Sequence, residues 1–203
     1  MSEQDRQLWN QRYRDGSYSA RTYASPFLVH WLDRFKFSEE SRALDLGCGA
    51  GRNSLYLART GLEVHGFDIS TVALAQAEQS AREQESVINF QSADLDIHSF
   101  EPEAWDLVVM IRYMNRALHD RLPPLLKPNG LLLVEHHVVT EQQVGGPQPP
   151  DHDSFRLRSN EILNACRDLH IISYQERLTE DRDGQRVALA QLAASSERCL
   201  LAN

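Results

Sequence analysis

The apolar positions of this chain come in short blocks with two different periods. Residues 43–46, 62–67, 87–90, 105–111 and 131–135 are compact apolar or alternating runs that read as β-strands. Between them the spacing changes to that of amphipathic helices. Phe27, Leu28, Trp31, Leu32 and Phe35 share one face of a helix over 26–37. Leu55, Leu57 and Ala58 lie on a helix that opens at Arg52, and Val72, Leu74, Ala75 and Ala77 line another over 71–85. Leu118, Leu122, Leu125 and Leu126 predict one more after residue 111. Strands alternating with helices predict an α/β chain with a mostly parallel sheet. The run 105–111 is apolar almost throughout and is expected to be the central strand, buried on both faces. Two final strands, 171–178 and 187–192, flank Asp183-Gly184, a hairpin signal, so the sheet should end in an antiparallel pair.

Two stretches fall outside this alternation. Residues 1–25 are polar with scattered aromatics, Trp9, Tyr13, Tyr18 and Tyr23. Trp9 and Tyr13 share one face of a short helix over 8–13. The segment 1–25 is either an anchor for the N-terminus or a lid, and the domain itself is expected over 26–203. Residues 139–156 form a Pro- and Gly-rich loop that leaves the fifth strand, a plausible substrate cover. Phe155-Arg156-Leu157-Arg158 then enters a helix for which Ser159 or Asn160 is the expected cap. Lys127-Pro128-Asn129-Gly130 reads as a turn before the fifth strand, where Asn129 tolerates a positive φ.

Chemistry concentrates where the first strand ends. Gly47-Cys48-Gly49-Ala50-Gly51 joins strand 43–46 to the helix at Arg52. Glycines there permit a tight turn and let a ligand approach the backbone closely. Such a turn lies at the carboxyl edge of an open α/β sheet, where these folds bind ligands. The third glycine comes one residue earlier than in the dinucleotide fingerprint, and the acidic Asp45 precedes the turn. Asp68 closes the second strand about twenty residues beyond the first glycine, where a carboxylate accepts from both hydroxyls of a ribose. Its alternative role is to cap the next helix, which Ser70 also suits. Asp94, within Ala93-Asp94-Leu95, follows the third strand either as a ligand contact or as a turn residue. Arg112, Tyr113, Met114, Asn115 and Arg116 stand at the carboxyl end of the fourth strand and so face the crevice. Glu135, His136 and His137 leave the fifth strand on the same side, with the two histidines on opposite faces.

The string from Leu44 to Leu57 closely resembles motif I of the class I S-adenosylmethionine-dependent methyltransferases. Gly-Cys-Gly-x-Gly-Arg-Asn-Ser-Leu-Tyr-Leu-Ala, and the closing Asp181-Arg182-Asp183-Gly184-Gln185-Arg186, are similar to the tellurite-resistance methyltransferases; the thiopurine methyltransferases are more distant. The resemblance implies a single Rossmann-like domain. Its sheet is expected to have seven strands, mostly parallel, with a terminal antiparallel hairpin and helices on both faces. It also implies S-adenosyl-L-methionine as cofactor and S-adenosyl-L-homocysteine as product. The implied cofactor residues are Asp45, Gly47, Cys48, Gly49, Gly51, Asn53, Asp68, Ile69, Asp94, Leu95 and Ile111, with Trp9 and Tyr13 from the N-terminal segment. In this assignment Asp68 meets the ribose and Asp94 the adenine edge.

The acceptor half departs from the tellurite-resistance pattern at 112–116 and in the loop 139–156, and looks like a different branch. The acceptor is therefore implied only as a small-molecule nucleophile: a thiol, chalcogen oxyanion, amine or hydroxyl. The protein's main task is to align nucleophile, methyl and sulfur, and a hydroxyl acceptor needs more help from a base than a thiol does. Tyr113, Arg112 and His136 are the candidate catalytic residues, with Glu135, His137 and His30 behind them.

Composition adds mainly exclusions. Lys+Arg 21 against Asp+Glu 29 gives a net charge of −8 with no basic block, so no nucleic-acid partner is expected. Cys48, Cys166 and Cys199 are widely spaced and odd in number, which suits a reducing, cytoplasmic setting rather than a disulfide framework. No Cys-x-x-Cys or His-x-x-x-His pair marks a metal site. No apolar run has the length to cross a bilayer, and the polar N-terminus lacks the apolar core of a signal peptide. A length of 203 residues fits one domain, acting as monomer or homodimer. Two other classes stay open: an S-adenosylmethionine-binding regulator without turnover, and a nicotinamide-dependent oxidoreductase.

Overall fold

The structure is a computed structural model that describes residues 3–17, 21–141 and 155–197. Tyr18, Cys199 and positions 142–154 of the Pro-rich loop lie outside the described residues. The helices are α1 (Glu3–Arg14), α2 (Pro26–Leu32), α3 (Arg52–Arg59), α4 (Thr71–Glu83) and α5 (Glu161–Ala165). The strands are β1 (Arg42–Leu46), β2 (Glu63–Asp68), β3 (Ile88–Ser92), β4 (Trp105–Ile111), β5 (Leu126–His137), β6 (His170–Glu180) and β7 (Arg186–Ser195).

These strands form a sheet in the order β3-β2-β1-β4-β5-β7-β6. All neighbours are parallel except β7, which runs antiparallel between β5 and β6. The predicted α/β architecture and terminal hairpin are therefore present. The strand order reverses between β1 and β4, so the connections leaving their carboxyl ends diverge and open a crevice. On β5 the side chains alternate strictly. Leu132 and Val134 join one apolar cluster with Leu118, Leu157 and Ile162, while Leu131 and Leu133 join the other with Phe27, Leu28 and Trp31. Each fully buried leucine contributes roughly 1.5–3 kcal/mol, so both faces of the central strands hold the crevice rigidly in place.

Three local readings need correction. The helix predicted after residue 111 is a pair of 3₁₀ turns, Arg116–Arg121 and Pro123–Leu125. Pro123 and Pro124 each lack an amide donor and crowd the preceding turn, so an α-helix cannot continue. The leucines still point inward, with Leu118 and Leu122 fully buried. Residues 127–130 do not form a separate turn but a bulge inside β5. Trp105 pairs with Leu126, yet Leu107 already pairs with Leu131, and Asn129 takes φ +62 as its chemistry allows. Neither Ser159 nor Asn160 caps α5 with its side chain, since Asn160 itself sits at φ +59. Glu161, the first residue of the helix, instead fixes the chain before it, accepting from the Arg158 amide at 2.8 Å and from Arg116 Nε at 2.6 Å.

The N-terminal helix docks on the start of α4. Asn10 Oδ1 accepts from Ser70 Oγ and from the Val72 amide, and Gln76 Nε2 donates to the Tyr13 carbonyl. Among the described residues, no helix is long and apolar enough to cross a membrane.

Candidate active site

The glycine loop hangs from the end of β2. The amides of Gly47 and Cys48 both donate to the Phe67 carbonyl, at 2.8 and 3.0 Å, and the Gly49 amide donates to Asp68 Oδ2 at 2.9 Å. Gly47 and Gly49 have φ of +69 and +56, a region that disfavours residues with a Cβ. Space is as decisive as angle. A Cβ on Gly47 would stand 2.1 Å from Tyr113 Cγ, and one on Gly49 would stand 2.2 Å from Tyr13 Oη. Two phenol rings, one from α1 and one from beyond β4, therefore lie directly on the face of the loop.

Each predicted cofactor residue has a definite place. Asp68, 8% exposed, closes β2; Oδ1 accepts from the Ser70 amide at 2.8 Å and Oδ2 from Gly49. Burial pushes its carboxyl up, and those amides oppose the shift. Ser70 caps α4 through its own hydroxyl, so the capping role does not fall to Asp68. A carboxylate offers about four acceptor positions, and two amides leave capacity for further hydroxyls. Ile69, Leu95 and Ile111 are buried around this edge of the sheet. Asp94 makes the turn expected of it, with Oδ1 accepting from the Asp96 amide at 3.0 Å. Trp9 and Tyr13 lie on α1, and Arg12 stacks over Trp9.

Asp45, Cys48 and Asn53 are also held within the fold. Asp45 Oδ2 accepts from Ser54 Oγ at 2.6 Å and ties β1 to α3; burial pushes its carboxyl up to about 6. Asn53 Oδ1 accepts from the Ser25 amide at 3.0 Å, anchoring the start of α2. Cys48 is buried, and burial and then Asp45 and Asp68 push its thiol well above the usual range. It is therefore an unreactive core thiol. Gly51 caps α3 at φ +79 and packs on Ala77 and Phe90.

Beyond β4 the three catalytic candidates behave differently. Arg112 adopts φ +60, unusual for a residue with a side chain. Its amide donates to the Glu135 carbonyl at 2.7 Å. Its guanidinium donates to Glu135 Oε1 (3.1 Å), His137 Nε2 (2.9 Å) and Asp181 Oδ1 (2.8 Å). Arg112 is thus a tether between β5 and the β6–β7 turn, not a free cation in the crevice. A guanidinium can only donate, so His137 Nε2 accepts and its proton is on Nδ1. Tyr113 accepts at Oη from Asn115 Nδ2, which also donates to Asp96. Burial pushes the Tyr113 phenol well above its usual range, so it is a neutral donor rather than a base. His30 is exposed and lies edge-on to Trp31, away from this cluster.

His136 is buried and donates from Nδ1 to the His137 carbonyl, which leaves Nε2 with the lone pair. Burial pushes it down to about 4 from an ordinary 6.5. The unfolded chain therefore binds this proton between those values while the folded one does not, so folding stability from His136 is lost as pH falls through that window. Asp45 acts in the opposite sense, because its raised carboxyl takes up a proton first in the fold. Comparing variants isolates the histidine. Relative to wild type, His136→Gln should gain about 2 kcal/mol of unfolding free energy between pH 7 and pH 5, read from urea transitions. No relative gain would mean that the imidazole is solvated in the native state.

Residues that sequence spacing did not single out complete the site. Arg21, Tyr23, Ser25, Pro26, Arg52 and Asp181 border a cleft next to Arg112 and Glu135. In the sequence, Asp181-Arg182-Asp183 served as part of a hairpin and of the family resemblance, not as a site. Among the described residues, no group of His, Cys, Asp and Glu could hold a metal ion.

The comparisons with known proteins agree with this geometry. Residues 43–130 match a family model described as a methyltransferase domain. The chain is 28% identical over 173 residues to the probable S-adenosyl-L-methionine-dependent methyltransferase TehB of Haemophilus influenzae, covering 78% of this chain and 57% of TehB. It thus spans somewhat more than half the length of that relative. Against a ubiquinone biosynthesis O-methyltransferase of Burkholderia ambifaria it is 26% identical over 186 residues, covering 82% and 80% of the two chains. The crystal structure of TehB from Haemophilus influenzae matches with a TM-score of 0.71 at 22% identity, over 93% of this chain and 67% of that one. The [4+2]-cyclase SpnF matches with a TM-score of 0.66 at 18% identity, over 83% and 78%. Residues 43–130 are thus similar to a methyltransferase domain, and the chain shares its fold with the TehB structure.

Proposed function

We propose that this chain methylates a small-molecule nucleophile with S-adenosyl-L-methionine. The observation that carries the reading is the glycine loop, with positive φ and no room for a Cβ, beside the buried carboxylate of Asp68 at the sheet's switch point. These residues fit the cofactor in kind: Asp68 keeps acceptor capacity for ribose hydroxyls, and the loop presents bare backbone. Bound there, the cofactor supplies an electrophilic methyl group on a sulfonium. Asp94 and Leu95 are assigned to the adenine edge. Tyr13 and Tyr113 cover Gly49 and Gly47, so we assign them as mobile covers that withdraw when the cleft loads. This makes residues 1–25 a lid, with α1 as its moving part.

Acceptor chemistry follows from what the candidate bases can do. His136 holds a lone pair at Nε2 but is a weak base, and the Tyr113 phenol is neutral. That favours an acceptor that is anionic or easily deprotonated, such as a thiol or chalcogen oxyanion. One relative is named as an O-methyltransferase of ubiquinone biosynthesis, so hydroxyl acceptors belong in the screen. Cys48 and Cys166 are free and buried, in keeping with a reducing, cytoplasmic location.

Calorimetry with S-adenosylmethionine, S-adenosylhomocysteine and NAD tests the cofactor. Micromolar binding of the first two is expected, and tight NAD binding without them would sink the reading. A methyl-transfer screen over thiols, selenite and tellurite, small amines and hydroxylated acids tests turnover. A second reading is cofactor binding without methyl transfer; a fold shared with a protein named as a cyclase does not by itself fix the reaction. Strong cofactor binding with no methylated product would favour it.

A further inference from the structure

Beyond β4 one buried amide bridges two parts of the crevice. Asn115 is 7% exposed, and both polar atoms of its side chain are engaged. Its Oδ1 accepts from the Ala117 amide at 3.0 Å and caps the 3₁₀ turn Arg116–Arg121. Its Nδ2 donates to Asp96 Oδ1 at 2.8 Å and to Tyr113 Oη at 3.1 Å. The amide nitrogen carries two protons, so both bonds are made at once.

The two ends of this bridge differ in rigidity. Asp96 lies in the turn 94–98, where the Asp94 carbonyl accepts from the amides of Ile97 and His98. Arg121 clamps the same turn, donating from Nη1 to the Leu95 and Asp96 carbonyls at 3.1 and 3.2 Å and from Nη2 to the His98 carbonyl. The other end has less support, because residues 113–115 belong to no helix or strand. Yet the Tyr113 ring lies so close to Gly47 that a Cβ there would come within 2.1 Å of its Cγ. It stands on the bare backbone that a ligand would approach. Asn115 thus joins a fixed turn to a ring that covers the glycine loop.

We propose that Asn115 is a positioning residue that pins Tyr113 over Gly47 in the empty protein and ties this cover to the turn carrying Asp94 and Leu95. The proposal rests on the reading of Tyr113 as a cover that withdraws when the cofactor loads. A pin that stabilises only the covered state lowers cofactor affinity, because the apparent dissociation constant is the intrinsic one divided by the uncovered fraction. Releasing the pin raises that fraction. The net worth of one neutral hydrogen bond corresponds to a gain of roughly 2- to 12-fold in affinity. A side chain that merely supports the site gives the opposite sign, since a loosened site binds more weakly.

The test uses the full chain as wild type, Tyr113→Phe, Asn115→Ser and the double variant. Phenylalanine keeps the ring and removes the phenol oxygen. Serine keeps an oxygen for the Ala117 amide, so the cap survives while both Asn115 donors are lost. S-adenosylhomocysteine is titrated into each protein by calorimetry. Amide hydrogen exchange of residues 47–51 is followed in the free proteins, with β6 and β7 as the reference. Tyr113→Phe is expected to bind roughly 2- to 12-fold more tightly than wild type and to add no further gain in the Asn115→Ser background. Residues 47–51 should exchange faster in both single variants while the reference strands stay unchanged. Equal or weaker affinity in Tyr113→Phe overturns the proposal, and so does a full second gain in the double variant. Faster exchange that extends to β6 and β7 reports general loosening and also overturns it. If Asn115→Ser does not melt cooperatively, Tyr113→Phe decides by its affinity and exchange. Wild-type protein that binds neither S-adenosylhomocysteine nor S-adenosylmethionine sinks the methyltransferase reading instead, and exchange of residues 47–51 then decides the pin alone.

Discussion

Arg112→Ala should lower the unfolding free energy by about 3–5 kcal/mol, the range for removing one partner of a buried ion pair. The reason lies in what stays behind. Glu135 is 3% exposed, and it would keep Ser25 and Gln191 as donors but lose the one cation within ion-pair distance among the described residues. His137 Nε2 and Asp181 Oδ1 would lose their donor as well. One effect works the other way. Arg112 sits at φ +60, so Arg112→Gly should recover about 1–2 kcal/mol relative to alanine by removing the left-handed strain. Adding Glu135→Gln to Arg112→Ala should also recover stability, because no buried charge is then uncompensated. Urea denaturation of the three variants reads all of this. A loss below about 1 kcal/mol for Arg112→Ala, in the range of exposed pairs, would show that water screens the cluster.

The second large effect is at Asp68. Asp68→Ala removes the acceptor for two amides, Gly49 and Ser70, that lie at buried positions. Each unsatisfied buried donor costs about 1–3 kcal/mol, so stability should fall by roughly 2–6 kcal/mol. Affinity for S-adenosylhomocysteine should fall separately by about 1–3 kcal/mol, or roughly 5- to 150-fold, through lost charge-assisted bonds to the ribose. Asp68→Asn separates the two. Its amide oxygen still accepts, which restores part of the stability, but the charge is gone, so the affinity loss persists. Calorimetry on Asp68→Asn is the cleaner measurement, and wild-type affinity in that variant would remove Asp68 from the cofactor site.

The two sites differ in how visible they were before folding. Asp68 was legible because strand, glycine turn, helix, strand and acid follow one another within one βαβ unit, where connectivity almost dictates geometry. The hairpin was legible for the same local reason, through Asp183-Gly184 and the alternation on either side, and Gly184 does take φ +76. The helix after β4 was misread because leucine spacing is a weak signal beside two consecutive prolines, which remove donors whatever the side chains prefer. Asn53 and Asp45 were assigned to the cofactor from their place in the motif. Their hydrogen bonds to Ser25 and Ser54 depend on how α2 and α3 settle on the sheet, and spacing carries no trace of that.

The sequence by itself determined the seven strands, their alternation with helices and the loop where backbone must lie bare. Those features follow from side-chain periodicity and from the φ angles a Cβ forbids, both local properties. Only the tertiary structure decided the partners of the charged groups. Arg112 meets Asp181 across 69 residues because β7 inserts between β5 and β6. Ion pairing is settled by proximity after the sheet has assembled, and no spacing along the chain encodes it.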